Sequence, residues 1–350
     1  MPVSASATTL TLLCLLAAAG AAPPADDIVS RVRHHNFGMY SYSYTQSTSA
    51  TTELTAFAKK YGLRDILQYV CGGIHLMPPG RFANFVNRVG EGSGATVTAM
   101  FDRTQWGTDT SPYSIVAKLK WYKAVRSILI GTYNNHYSLA GVTFDIEDLS
   151  PQHYVTLTSY AEDQWNTLVP RDAWAHETIS FQLGSKEDST AAKIVSGDIV
   201  DRIYWENYRN TEAEVFDFAD NMLNQVDPTG NGEAVLAVNT ICCLPNPCSN
   251  EGARSFTEKA ERSFCRQNAI PGGGGAKMSP EYMLDTLDQV RDTLYKKYPL
   301  VLRNLPFYVY DYRAFKVFLE GQDAVHATTC PAFGLPEIAV SEIAAMAVEA

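Results

Sequence analysis

Residues 139–149 read LAGVTFDIEDL, an apolar run that ends in three acids within four positions, Asp145, Glu147 and Asp148. Side chains alternate along an extended strand. Val142, Phe144 and Ile146 therefore share one face, and Thr143, Asp145 and Glu147 share the other. The apolar face belongs against helices, so the polar face lines whatever the strand encloses. Asp145 and Glu147 then stand about 7 Å apart along one line at the strand's carboxyl end. Like charges that close disfavour joint ionisation, which keeps one carboxyl protonated near neutral pH and able to serve as a general acid.

Seven further runs share this apolar or alternating character: 37–44, 66–70, 95–101, 178–183, 198–205, 234–239 and 307–312. Helical patterns lie between them, among them TELTAFAKKYG, SIVAKLKWYKAVRSILIG and EYMLDTLDQVRDTLYKKY, with Ser, Thr or Pro at their starts or Gly at their ends. Eight strands alternating with helices over about 300 residues is the count of an α/β protein of the (β/α)8 TIM-barrel type. An open doubly wound sheet would show a glycine-rich turn after its first strand, and SYTQSTSA is not one. The run Gly90–Gly94, GEGSG, precedes a strand and reads as a turn. In a barrel, the carboxyl ends of the strands are where chemistry is done, which gives the acids of 145–148 a setting.

Residues 9–21, TLTLLCLLAAAGA, are too short to span a bilayer and end in small residues, as the apolar core of a signal peptide covering 1–21 would. Removing it takes Cys14 away and leaves six cysteines, Cys71, Cys242, Cys243, Cys248, Cys265 and Cys330. An even count in an exported chain implies disulfides, with Cys242 and Cys243 taking different partners. The barrel is expected over 22–330, with 241–277 (four cysteines and PGGGG) as a disulfide-rich excursion after strand seven and 331–350 as a tail. That tail carries Glu337, Glu342 and Glu349, unlike a lipid-anchor signal. A net charge of −10 and a pI near 5.2 argue against nucleic acid or an anionic membrane as partner. The expectation is a secreted, extracellular protein.

The fourth strand resembles that of the chitinase-like family 18 glycoside hydrolases, whose signature there is D-G-x-D-x-D-x-E. Aligned on AGVTFDIE (140–147), Gly141, Asp145 and Glu147 match, while Ala140 and Thr143 replace the first two acids. The resemblance implies that Glu147 protonates the glycosidic oxygen. It implies that Asp145 orients the substrate's own N-acetyl group as internal nucleophile, and that Tyr208 hydrogen-bonds that group's carbonyl. It places Glu206 where the family has Met, Arg209 where it has Asp or Asn, and Tyr310 near the Trp that floors the sugar site. The substrate class implied is a β-linked, N-acetylglucosamine-containing oligosaccharide or polysaccharide, cleaved without a cofactor. The changes at 140 and 143 leave a lectin-like, glycan-binding barrel as the alternative.

Other residues fit a glycan cleft. Aromatic faces suit sugar C–H surfaces, and Tyr40 on strand one and Trp106 after strand three are candidates, with Asp102 and Glu206 binding hydroxyls. Trp205 shares the parity of Ile203 and is expected to face the helices. Asp102, Glu147, Glu206 and Asp311 would make a hard-oxygen metal site in a phosphodiesterase-type barrel. His34 and His35, however, precede strand one rather than follow it. His75, His136, His153, His176 and His326 show no ligand spacing.

Overall fold

Eight parallel strands pair in sequence order and the last returns to the first, closing a barrel. They are β1 (Gly38–Ser41), β2 (Asp65–Tyr69), β3 (Thr96–Phe101), β4 (Leu139–Asp145), β5 (Thr178–Leu183), β6 (Arg202–Glu206), β7 (Glu233–Asn239) and β8 (Phe307–Tyr310). Each falls within or beside one of the eight runs read from the sequence. The helices are α1 (Ala25–His35), α2 (Thr48–Tyr61), α3 (Pro79–Ser93), α4 (Ile115–Ile128), α5 (Pro151–Leu168), α6 (Glu212–Leu223), α7 (Pro280–Lys297) and α8 (Tyr312–Glu320). The structure is a computed structural model that describes residues 25–41, 48–72, 75–101, 114–145, 151–183, 201–206, 211–224, 233–239, 279–299, 307–310 and 312–320. The 1–21 segment, the 241–277 excursion and the 331–350 tail lie outside them, as do all six cysteines save the backbone of Cys71. No helix among the described residues is long and apolar enough to cross a membrane.

The parity of β4 comes out as read. Val142 and Phe144 are fully buried between sheet and helices. The Phe144 ring lies between Phe101 of β3 and Phe181 of β5, with centroids 5.7 and 5.3 Å away. Such a ladder adds about 0.5–1.5 kcal/mol per aromatic pair to the area buried. Ile203 and Trp205 likewise join this outer core. Pairing between β3 and β4 slips by one residue, with Val97 opposite Leu139 but Thr98 opposite Gly141. At that point Gly141 takes φ 136°, and a Cβ there would sit 2.0 Å from the Thr178 carbonyl oxygen. The glycine of the strand-four signature is thus required by the backbone itself.

Two sequence expectations change. GEGSG is mostly helix: α3 runs to Ser93 and stops at Gly94, whose φ of 78° gives a left-handed cap. Gly90 and Gly92 sit in its last turns because neighbours come too close for a side chain. A Cβ would meet Ser138 Oγ at 1.9 Å and Thr55 Cγ2 at 2.3 Å, respectively. Tyr312, expected to end strand eight, instead opens α8.

The amino-terminal half of the barrel interior is polar and paired. Asp65 accepts from Thr96 Oγ1 at 3.0 Å, Thr98 Oγ1 at 2.9 Å and the Tyr308 hydroxyl at 3.0 Å. Arg202 Nε donates to Glu233, and its Nη1 donates to the Tyr204 hydroxyl at 3.1 Å. Burial pushes the Tyr308 hydroxyl well up from its ordinary pKa, so it remains a donor to Asp65. This network ties β2, β3, β6, β7 and β8 together from the inside.

Candidate functional site

Neighbouring strands of an eight-stranded barrel step by about one residue at equal height, so each interior layer takes side chains from alternate strands. The pairing registers then order the interior. Leu67, Thr143, Tyr204 and Tyr308 form one layer from the even strands. Above it the odd strands contribute Tyr40, Met100, Gln182 and Ala237. The next layer, at the carboxyl ends, holds Tyr69 of β2, Asp145 of β4 and Glu206 of β6.

Burial follows that order. Tyr40, Leu67, Met100, Thr143, Tyr204, Ala237 and Tyr308 are fully buried, whereas Tyr69, Asp145 and Glu206 are only partly so. The tyrosines interlock edge to face, Tyr204 with Tyr308 at 5.0 Å and Tyr40 with both at 6.3 and 6.4 Å between ring centroids. They pack the barrel beneath the acids, with Gln182 as the polar member of the layer directly below. Asp145 and Glu206 are therefore two carboxylates of one layer, on strands separated by β5, standing over a floor of Tyr40, Met100, Ala237 and the carboxamide of Gln182. Carboxylates above such a floor can accept hydrogen bonds from a polar ligand and stabilise positive charge that develops on it.

The sequence-derived candidates divide accordingly. Asp145 and Glu206 fall in one layer at the barrel's carboxyl end. Tyr40 is fully buried one layer lower, where its ring packs against Tyr204 and Tyr308. Tyr310 is the last residue of β8, and its side chain lies outside the described set. Glu147, Tyr208, Asp102 and Trp106, with Asp311 of the metal alternative, also lie outside it. Among the described residues no group of three His, Cys, Asp or Glu is arranged to hold a metal ion. Thr143 points inward as parity requires, and its hydroxyl makes no hydrogen bond.

Sequence reasoning missed Gln182. This residue is 1% exposed and lies directly across from Asp145 in the β4–β5 pairing. Its signal was present in TISFQL, where Ser180 and Gln182 alternate against Ile179 and Phe181 just as Thr143 and Asp145 alternate against Val142 and Phe144.

No family model matches the chain, and no curated protein matches it. Among solved structures, the Bacillus cereus spore cortex-lytic enzyme SleL is 13% identical, with 78% of this chain and 70% of that one covered at a TM-score of 0.41. The xylanase-α-amylase inhibitor protein XAIP-III is 11% identical, covering 81% of this chain and 96% of its own, at a TM-score of 0.43. The YdjI aldolase from Escherichia coli K12 is 10% identical over 80% and 97%, at 0.36. These likenesses are too distant to add to the strand pairing, and on that pairing the chain is a closed parallel (β/α)8 barrel with an acidic mouth.

Proposed function

We propose that this barrel acts on β-linked, N-acetylglucosamine-containing glycans as a secreted, chitinase-like glycoside hydrolase. The observation that carries the reading is the layer shared by Asp145 and Glu206 at the carboxyl ends of β4 and β6. Glu147, two residues beyond Asp145 in the sequence, is the general acid that passes its proton to the glycosidic oxygen as the C–O bond breaks. Asp145 holds the substrate's N-acetyl group so that its carbonyl oxygen closes on the anomeric carbon. It also stabilises the resulting oxazolinium ion until water opens it and returns the proton to Glu147. Tyr208 binds the N-acetyl carbonyl, and Glu206 binds a neighbouring hydroxyl.

A binding-only barrel is the second reading, and Thr143 favours it. A neutral hydroxyl cannot share a proton with Asp145 as a second acid would. Fluorophore release from a chitooligosaccharide glycoside separates the two. The hydrolase turns over and its Glu147→Gln variant loses about 10²–10⁴ in rate while still binding. Turnover undiminished by that substitution would remove Glu147 from the mechanism. No turnover with measurable binding would establish the lectin-like reading.

A further inference from the structure

The interior polar groups of the barrel fall into two sets. Those near the amino-terminal end are paired: Asp65 with Thr96, Thr98 and Tyr308, Arg202 with Glu233 and Tyr204. Ser180, two residues before Gln182, donates from its Oγ to the Val142 carbonyl at 2.8 Å. Gln182 breaks the rule. Its Oε1 and Nε2 are both buried and both without a hydrogen-bond partner, and so is Thr143 Oγ1 on the adjacent strand. Strand β5 runs between β4 and β6, so Gln182 sits one layer beneath and between the positions of Asp145 and Glu206. A carboxamide buried with neither lone pair nor N–H satisfied is costly and rare in native interiors. Its place in the layer beneath two mouth carboxylates points to a ligand that satisfies it.

We infer that Gln182, backed by the Thr143 hydroxyl, is the specificity-determining residue at the base of this cleft, where its carboxamide binds a saccharide group that presents a donor and an acceptor side by side. Resting on the glycan reading above, this gives that site its chemical preference. Two groups have the required pattern: the N–H and C=O of an acetamido substituent, and a pair of vicinal hydroxyls. A carboxamide matches either, because it offers one donor edge and one acceptor edge. A site built to hydrogen-bond such a group discriminates strongly against ligands lacking it, since its own buried polar atoms are then left unpaired.

The test uses the full chain in the Glu147→Gln background, so that ligand is not consumed. Gln182→Leu and Gln182→Met, the latter of similar length without polar atoms, are titrated with the N-acetylglucosamine tetramer and the glucose tetramer. Each is also melted without ligand. The expected result is a dissociation constant raised about 10- to 100-fold, with an unliganded melting temperature equal to or above that of the parent. Loss confined to the acetylated tetramer assigns the acetamido group, and loss with both tetramers assigns the hydroxyl pair. Unchanged affinity in a parent that does bind overturns the inference and leaves the glycan reading standing. A melting temperature lowered in both variants also overturns it, because Gln182 would then be holding the fold. A parent that binds neither tetramer refutes the glycan reading, and this inference with it.

Discussion

His35 closes α1 as a buried imidazole, 3% exposed, whose ring stacks on Phe37 at 5.2 Å and meets the edge of Phe307 at 6.1 Å. Burial, then the nearby Arg291 guanidinium, lowers its pKa from 6.5 to about 4, with smaller contributions from His34 and Arg31. Asp288 pulls the other way, its Oδ1 3.1 Å from Nε2, but that carboxylate also receives Arg31 at 3.2 Å. In the unfolded chain His35 takes up its proton near pH 6.5, while in the folded chain it resists until about pH 4. The contribution to stability is therefore whole above pH 6.5 and is lost as pH falls through the window to 4. At about 1.4 kcal/mol for each pH unit, the loss is about 3 kcal/mol. His35→Phe fills the same aromatic slot and does not titrate. Urea unfolding of both proteins at pH 7.5 and pH 4 cancels every other group. The stability difference between parent and variant should shift by about 3 kcal/mol toward the variant on acidification. Parallel pH dependences would refute the argument. A shift in favour of the parent would show that Asp288 captures a protonated His35.

Gly141→Ala forces a Cβ against the Thr178 carbonyl in backbone only glycine adopts, and should cost more than about 4 kcal/mol by urea titration. A cost below about 1 kcal/mol would mean the β3–β4 register slip relaxes freely. Arg202→Met leaves Glu233 with Arg64 alone, at 3.6 Å, and should cost about 3 kcal/mol. Adding Glu233→Leu should recover part of that loss, because it removes a half-buried carboxylate left with only the longer Arg64 contact. Non-reducing peptide mapping should find Cys242 and Cys243 disulfide-bonded to different partners, and six free thiols would refute export through an oxidising compartment.

The strands were legible because a (β/α)8 barrel writes each of them twice, as an apolar run and as an interval between helices. Parity alone told which way Phe144, Trp205 and Asp145 point. Gly90 and Gly92 were misread because their reason lies in other segments, Ser138 and Thr55, and no local signal announces a close approach. Tyr312 was misplaced because FYVYDY alternates smoothly across a strand–helix junction whose position tertiary packing decides. At the site, parity turned Asp145 inward and the family register pointed to Glu206, but an aromatic such as Tyr40 reads alike whether it lines a cleft or plugs a barrel. Its layer is fixed only by registers between strands far apart in sequence. Gln182 was overlooked for the opposite reason. A lone carboxamide in a strand is unremarkable until its neighbours are seen to leave it unpaired.

The tyrosine layers also act as an electrical partition. The fixed charges that hold the barrel shut, Asp65, Arg202 and Glu233, lie on one side, and the mouth carboxylates lie on the other. Four residues along β6, about 13 Å of strand, separate Arg202 from Glu206, which shares the layer of Asp145. Buried rings of Tyr40, Tyr204 and Tyr308 fill much of the space between them. A change of charge at the mouth therefore leaves the lower ion pairs in place. The mouth layer of Asp145 and Glu206 and the network that closes the barrel beneath it share no hydrogen bond among those described, so a change of residue at one need not loosen the other.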